Sequence, residues 1–550
     1  MTLIPFLILA LLSGTASLVL RGKRGWSSAV AVAGLVGMVV TAAAMSPTAT
    51  LAIGGTTLTT SAWLRLYAIL ASVVAIGLVL VDATASHEPD VPGVLVLGIG
   101  SAVLALALPD AGVAVLAVTA GGLAGVLVAA PMGAAARAAF VGTRELRALA
   151  IAAALAILAT AWVARPLDEL AAQPTVFGLA YLAFGTAVAI RFGAIPFHLW
   201  AARAADAAPG AALPLLMAWG PAAFAAVALA WIAQSVTPLT LPLGIEQALI
   251  AVIGVVSIVL GLLAALIQDD LEHVVGYSIV ADAGVAVLGL AILGPAGWEP
   301  ARTWLLVFVV GRSAFAAWVV AIHGGFGTRR LPELAGWARR APLLAISLVA
   351  IAAASIAWPG LIAWQARSRL IDLALPDALA VIVTLVPVAA VAIYARILLR
   401  GVARPAEVVS GGRGERPRWP APVPHRQIVG LGGVERGFER AAHALSALLD
   451  IAWLVPSAIR LNRMPLAAVA VLVLSGLAFV VAGGGLDVAE AARVVPVASG
   501  VAPGPSAPAP SVGASPTGSG GPGSSAPASP SFAPVSSSTA PASPSFAPVP

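Results

Sequence analysis

A cation, Arg191, lies inside an apolar stretch and is followed by Pro196, Phe197, His198 and Trp200. A short polar connection with Arg203 and Asp206 comes next, and from Pro209 the chain returns to apolar sequence as far as Pro221. At membrane depth a charge is costly unless it faces a protein interior or a water-filled path, so this stretch is the first candidate for handling ions or protons. Further ionisable groups sit in or beside apolar runs at His273, Asp282 and Arg312, and near Gln365 and Arg367. With Arg191, His198 and Asp206 they can form a polar axis through a helical bundle. A plainer alternative is a structural ion pair, Arg191 with Asp282 or Arg312 with Asp282, that fixes helix packing. His198 is equally well read as a hydrogen-bonded histidine at a helix end, and Asp269, Asp270 and Glu272 as a solvated loop.

The elements that must hold these groups follow from composition. The 550 residues are 60% apolar and 10% charged, with a mean hydropathy of +1.00. Water cannot be the solvent for most of such a chain, which is therefore a polytopic membrane protein. Cysteine is absent, which removes disulfides, thiolate metal sites and a cysteine nucleophile. The net charge of +6 is almost all arginine, Lys23 being the only lysine. The basic residues fall between apolar runs, a pattern of membrane topology and not of nucleic-acid binding.

Apolar runs long enough to cross a bilayer recur at 3–20, 26–46, 61–82, 91–108, 111–130, 146–164, 173–195, 211–233, 246–267, 274–294, 303–323, 342–358, 375–399 and 464–484. They lack the alternation of barrel strands, so the fold class is an all-α bundle of about 14 transmembrane helices. The first run has its basic residues after it, as a retained span would. Arg21, Lys23 and Arg24, then Arg137, Arg144 and Arg147, then Arg203, then Arg329, Arg330, Arg339 and Arg340 fall on one side, with the stretch after Arg396. That bias places both ends outside a cell inner (plasma) membrane. Residues 1–400 are the bundle, 401–463 a basic inside linker with an amphipathic helix, 464–484 the last span, and 485–550 an external tail. From 499 onward the tail is Pro, Ala, Ser and Gly, with APASPSFAPV at 526–535 and again at 540–549, a composition that cannot bury a core.

The ordered motifs resemble the antiporter-like membrane subunits of NADH:quinone oxidoreductase (complex I), most closely the N-type subunit, within the proton-conducting membrane transporter family. PFHLW at Pro196–Trp200 with Asp206 and Ala208-Pro209 is similar to the family's PFHxW, acid and AP elements. GLLAALIQDDLEHVVGYSIVADAG at 261–284 is similar to its GNLAALxQxxxKRLLGYSSIAHxG segment, and ELAGWARRAPLLAISL at 333–348 to DLAGLGRRxPLLAL. Ile393-Tyr394-Ala395-Arg396 is placed like its YYxLR, so the resemblance covers residues 60–400. It implies two inverted five-helix repeats, each with a broken helix, for which Pro196 and Pro387 are candidate interruptions, and a line of protonatable residues across the membrane.

The relay positions themselves depart from that pattern. The first family lysine falls on Arg191, the second on Pro221, the later one near Gln365 with Arg367 close by, and the fifth-helix glutamate near Thr119. The basic pair before GYS becomes Glu272-His273. Lysine changes protonation readily when buried, whereas arginine stays charged. The resemblance implies a membrane subunit associated with proton translocation coupled to electron transfer, among other oxidoreductase membrane subunits and lipid, without nucleic acid. The alternatives are a structural paralogue that moves no ion, or an independent cation/proton transporter. No phosphate loop, dinucleotide fingerprint, GxSxG or HExxH occurs, so no catalytic, cofactor or metal residue is expected here. NADH and quinone would be used by the complex elsewhere. Deleting residues 499–550 is expected to leave membrane insertion and assembly intact, as judged by yield of the assembled complex; loss of assembly would overturn this reading of the tail.

Overall fold

In lipid, backbone N–H and C=O groups must be paired within the protein, and for isolated apolar runs that means helices. The computed structural model describes residues 2–85, 90–129, 136–163, 173–208, 210–239, 241–403 and 463–493. Helices α1 (Ile4–Val19) and α2 (Arg24–Ala43) precede strands β1 (Thr50–Ile53) and β2 (Thr56–Thr59). Then come α3 (Ala62–Ala85), α4 (Val91–Ala107), α5 (Ala111–Ala129) and α6 (Ala136–Trp162). A broken element, α7 (Pro174–Phe192) and α8 (Leu199–Ala207), leads to α9 (Leu215–Val236), α10 (Gly244–Ile267), α11 (Leu271–Leu290) and α12 (Trp298–Phe326). After the single turn α13 (Trp337–Arg340), a second broken element is formed by α14 (Pro342–Ile356) and α15 (Ile362–Ala374). The described chain closes with α16 (Asp377–Leu385), α17 (Ala390–Val402), α18 (Arg463–Ala482) and α19 (Val488–Ala492).

Ten helices among the described residues are long and apolar enough to cross a membrane, and the bent pair Leu466–Ala482 with Gly485–Ala492 makes an eleventh if it is one span. The expected spans at 91–108, 111–130 and 342–358 are shorter apolar helices. The chain is thus a multi-pass helical bundle, but the fourteen expected spans do not all meet that length. Three further departures have physical causes. Residues 50–59 form an antiparallel hairpin because Gly54 and Gly55, with φ of 57° and 84°, supply the two positive-φ positions of a tight turn. Helix α6 begins about ten residues before the apolar run expected at 146–164, because an α-helix continues through charged residues when its faces can be sorted. The first part of the expected tail is also folded, since α19 buries Val488 and Ala492 against α3 and α12. The expected amphipathic helix of the linker and residues 499–550 lie outside the described residues.

Residues 1–495 form one compact unit. At its centre α12 is buried along its whole apolar length, touching α3, α11, α14, α15 and α18. By contrast α10 leaves Ile245, Leu249, Val252, Leu260, Leu263 and Ile267 on the outside, an apolar surface suited to hydrocarbon. Its inner face lies against α11 with almost no room to spare. A Cβ added at Gly284 would meet Ile258 N at 2.8 Å, and one at Gly254 would meet the Gly284 carbonyl at 2.9 Å. Gly284→Leu is therefore expected to destabilise the bundle by about 1–3 kcal/mol. Thermal unfolding of the purified protein would measure it, and an unchanged midpoint would contradict the close contact.

Candidate functional site: two buried carboxylate and arginine centres

The first centre forms where α7 stops. Gly193, in a left-handed conformation with φ of 65°, caps the helix, and its amide donates to Ile190 O at 3.0 Å. The chain then turns through a cis Ile195–Pro196 bond before α8 starts. Ile195 N donates to Ser257 Oγ at 2.9 Å, and Trp200 Nε1 donates to Ile190 O at 2.8 Å, so the break is tied to both sides. These bonds fix Arg191, in the last turn of α7, pointing inward and only 3% exposed.

Its guanidinium makes one hydrogen bond and has two looser neighbours. Nη1 donates to Leu216 O at 3.3 Å, within a π-helical turn, Leu215–Trp219, at the start of α9. Such turns leave carbonyls available to a partner and recur at functional sites. The Trp200 ring lies 6.0 Å from the guanidinium carbon. Glu145 on α6, 2% exposed, is the acid whose charge acts on Arg191, with no hydrogen bond or direct ion pair between them. Neither Glu145 carboxylate oxygen has a hydrogen-bond partner among the described residues. Beside Arg191 a cavity of about 10 Å³ is lined by Gly98, Ser101, Gly121, Gly122 and Gly220, room for about one water.

The second centre lies between α11, α12, α15 and α17. Arg312 Nε donates to Asp282 Oδ2 at 2.6 Å and its Nη1 to the Tyr394 hydroxyl at 3.0 Å. Arg367, 1% exposed, also faces Asp282 electrostatically, and its Nη1 donates to Ile356 O at 2.8 Å. That carbonyl is free because α14 ends there, with Ala357 at a φ of 51°. The π-helical turn of α9 thus presents a carbonyl to Arg191, and the break after α14 presents one to Arg367. Between α9 and α12, which carry parts of the two centres, the Trp219 indole donates to Ser313 Oγ at 2.9 Å, and Ser313 Oγ donates to Val309 O at 2.7 Å.

Of the sequence candidates, the structure brings Asp282, Arg312 and Arg367 together, so the Asp282 partner is Arg312 and not Arg191. Gln365 is on the exposed side of α15 and takes no part. His198 stands before α8 with Nδ1 unpartnered among the described residues, apart from both centres. The side chains of Arg203 and Asp206 lie outside the described residues. His273 is nine residues before Asp282 on α11, about 13 Å along the helix. It belongs with a third group at the helix ends, where Arg329 pairs with Asp270 at 2.8 Å and with Glu272, and Arg396 pairs with Asp269. The expected solvated loop is therefore a clamp in which Glu272 is 5% exposed. Thr119 bonds back to Val115 O at 2.6 Å, so the acid facing Arg191 comes from α6. Sequence reasoning missed Glu145 because the charged triplet around it looked like a loop. Its helical setting sends Arg144 over the Phe140 ring at 4.4 Å and leaves Glu145 on the inner face.

A multi-pass bundle with broken helices and charges paired at its centre is the architecture of secondary-transporter-like membrane subunits. Residues 139–392 match the model of the NADH:quinone oxidoreductase/Mrp antiporter transmembrane family. NADH-quinone oxidoreductase subunit N 2 of Syntrophobacter fumaroxidans is 31% identical over 188 residues, 34% of this chain and 39% of that protein. Subunit N of Laribacter hongkongensis is 25% identical over 36% of this chain and 40% of its own length. The chain thus spans about two fifths of the curated relatives it matches. Among solved structures, a chain of the archaeal membrane-bound sulfane sulfur reductase has a TM-score of 0.64 at 16% identity, covering 86% of this chain and 98% of its own. A chain of respiratory complex I from Thermus thermophilus has a TM-score of 0.60 at 16% identity, with 86% and 97% coverage. A chain of the Mrp complex from a Dietzia species reaches 0.58 at 18% identity, with 89% and 97% coverage. At these identities the structural matches establish the fold.

Removing one member of a buried ion pair leaves the other uncompensated. Arg312→Ala is expected to destabilise the bundle by about 3–5 kcal/mol, while Arg312→Lys loses less because the charge remains. Denaturation of both variants in detergent would test this, and an Ala variant as stable as the parent would contradict a paired Asp282.

Proposed function

We propose that this chain is a membrane subunit of an NADH:quinone oxidoreductase-like complex in the plasma membrane, associated with proton translocation coupled to electron transfer. The observation that supports it most is the pair of carboxylates within one bundle, Glu145 buried and Asp282 part-buried, each with an arginine acting on it. The kinship of residues 139–392 with subunit N sequences supports the assignment to such a complex. NADH and quinone are then substrates of the assembly, handled by other subunits, and both chain ends face outside.

In this reading the division of labour differs from a lysine relay. Arginine keeps its proton at any working pH, so Arg191, Arg312 and Arg367 act as fixed charges. The carboxylates are the groups that gain and lose a proton. A proton reaching Glu145 neutralises it and unbalances Arg191, which stays anchored on the Leu216 carbonyl. The field of that uncompensated cation then extends through the low-dielectric interior towards Arg312 and Asp282. Coupling between the centres is electrostatic, and no arginine needs to deprotonate.

Two outcomes are expected. Purified in mild detergent from cells expressing its native partners, the chain should carry other hydrophobic oxidoreductase subunits with it, and recovery only as a monomer or self-oligomer would count against the assignment. Glu145→Gln, nearly the same shape without the charge, should assemble but lower proton uptake into reconstituted vesicles to background. Undiminished uptake would remove Glu145 from the path and favour a structural role for its pair with Arg191.

A further inference from the structure

A cavity of about 100 Å³ opens at the end of the bundle that carries the β hairpin. The start of α3, the end of α4, the start of α5, the last turns of α9 and the second turn of α12 enclose it. Ser61, Trp63, Pro109, Trp231, Gln234 and Arg302 give it its chemistry, and no carboxylate lines it. Three helix N-terminal segments and two helix ends meet there, so the dipoles add no negative potential and the local side-chain charge is that of Arg302.

Arg302 differs from the interior arginines of both centres. Arg191, Arg312 and Arg367 each donate to a carbonyl or an acid. Among the described residues the Arg302 guanidinium makes no hydrogen bond or ion pair, and the residue is half-buried at the cavity. The nearest acid in sequence, Glu299, faces Arg493 at 3.8 Å. The backbone at Arg302 is nonetheless pinned, its carbonyl accepting Trp63 Nε1 at 3.2 Å. A half-buried guanidinium with no protein partner is compensated by what enters the cavity, water or an anion.

We propose that this cavity is a binding site for a phosphate-type oxyanion held by Arg302. A volume near 100 Å³ takes several waters or one tetrahedral oxyanion. A guanidinium presents a planar fork of donors matched to phosphate oxygens. Ser61 Oγ accepts from Leu64 N at 3.1 Å, which leaves its own proton to donate. Gln234 adds an amide at the rim. Two indoles, Trp63 and Trp231, frame the cavity, as tryptophans do at headgroup depth. The oxyanion is therefore either the phosphate of a phospholipid headgroup or free phosphate. This site is separate from both carboxylate centres and does not depend on the function proposed for them.

The test compares the purified complex with its Arg302→Gln variant, in which the backbone bond to Trp63 is untouched. Inorganic phosphate, titrated against chloride at constant ionic strength, is expected to raise the unfolding temperature of the parent, with the apparent affinity in the variant weaker by about tenfold or more. In the lipid arm, both proteins are taken from vesicles of phosphatidylcholine and phosphatidylglycerol, and retained phospholipid is counted by native mass spectrometry. One fewer lipid on the variant, with no response to free phosphate, identifies a headgroup site. A phosphate response without a lipid difference identifies free phosphate. If the Gln variant does not assemble, Arg302→Lys carries the comparison, since it keeps the charge but loses the planar fork; a weakened response supports the site and an unchanged one overturns it. Equal lipid counts together with no phosphate response in the parent would mean that the cavity holds water alone and would overturn the proposal.

Discussion

A guanidinium inside a bundle of apolar helices must be given partners, and much of this architecture is arranged around that requirement. Burying an isolated charge costs more than most single contacts return, so each cation has to meet an acid, a carbonyl or solvent. Continuous α-helices have no carbonyls to spare. The chain supplies them by interrupting its helices: a π-helical turn exposes Leu216 O to Arg191, and the end of α14 exposes Ile356 O to Arg367. Acids arrive from neighbouring helices, Glu145 from α6 and Asp282 from α11.

Those interruptions are affordable only because the surrounding helices fit tightly. Where α10 meets α11, the facing glycines Gly254 and Gly284 leave no room for a methyl group. The central helix α12 is enclosed on all sides and carries Arg312 and Ser313 at the level of the bridge to Trp219. At the helix ends, Arg329 and Arg396 tie the α10 to α11 connection to distant segments, which makes that connection part of the frame. The result is a set of fixed positive charges with two carboxylates among them, a distribution in which a change of protonation on one carboxylate is felt along the line.

Much of this was legible in the sequence, because long apolar runs have few other solutions in a membrane. The spans at 3–20, 61–82, 91–108 and 246–267 match observed helices to within about three residues. The pairing of Asp282 with Arg312 was also foreseeable, since an acid and an arginine inside neighbouring apolar runs have to find one another, whereas Arg367 lies between runs. Hydropathy failed where charge and helix coexist. Arg144, Glu145 and Arg147 end an apolar run but not a helix, and only the sorting of faces reveals that Glu145 points inward. A helical projection of residues 136–162 carries that signal, because Val141, Glu145, Leu149 and Ala152 fall on one stripe. Three-dimensional placement was needed for the rest: nothing in the order of residues says that Arg191 faces α6 or that Tyr394 reaches Arg312. The hairpin at 50–59 had its own marker, two glycines between short alternating runs, which is easily passed over in a chain read for membrane spans.

The central claim is that Glu145 and Arg191 stabilise each other across α6 and α7 as one buried unit. A double-mutant cycle in the assembled complex addresses it most directly, with unfolding free energies measured for Glu145→Ala, Arg191→Ala and the two combined. If the pair is a unit, each single change strands a charge, and the double variant is destabilised by less than the sum of the singles, with a coupling of about 1–3 kcal/mol. Losses that simply add would show that the two groups do not interact and would contradict the arrangement on which the rest depends.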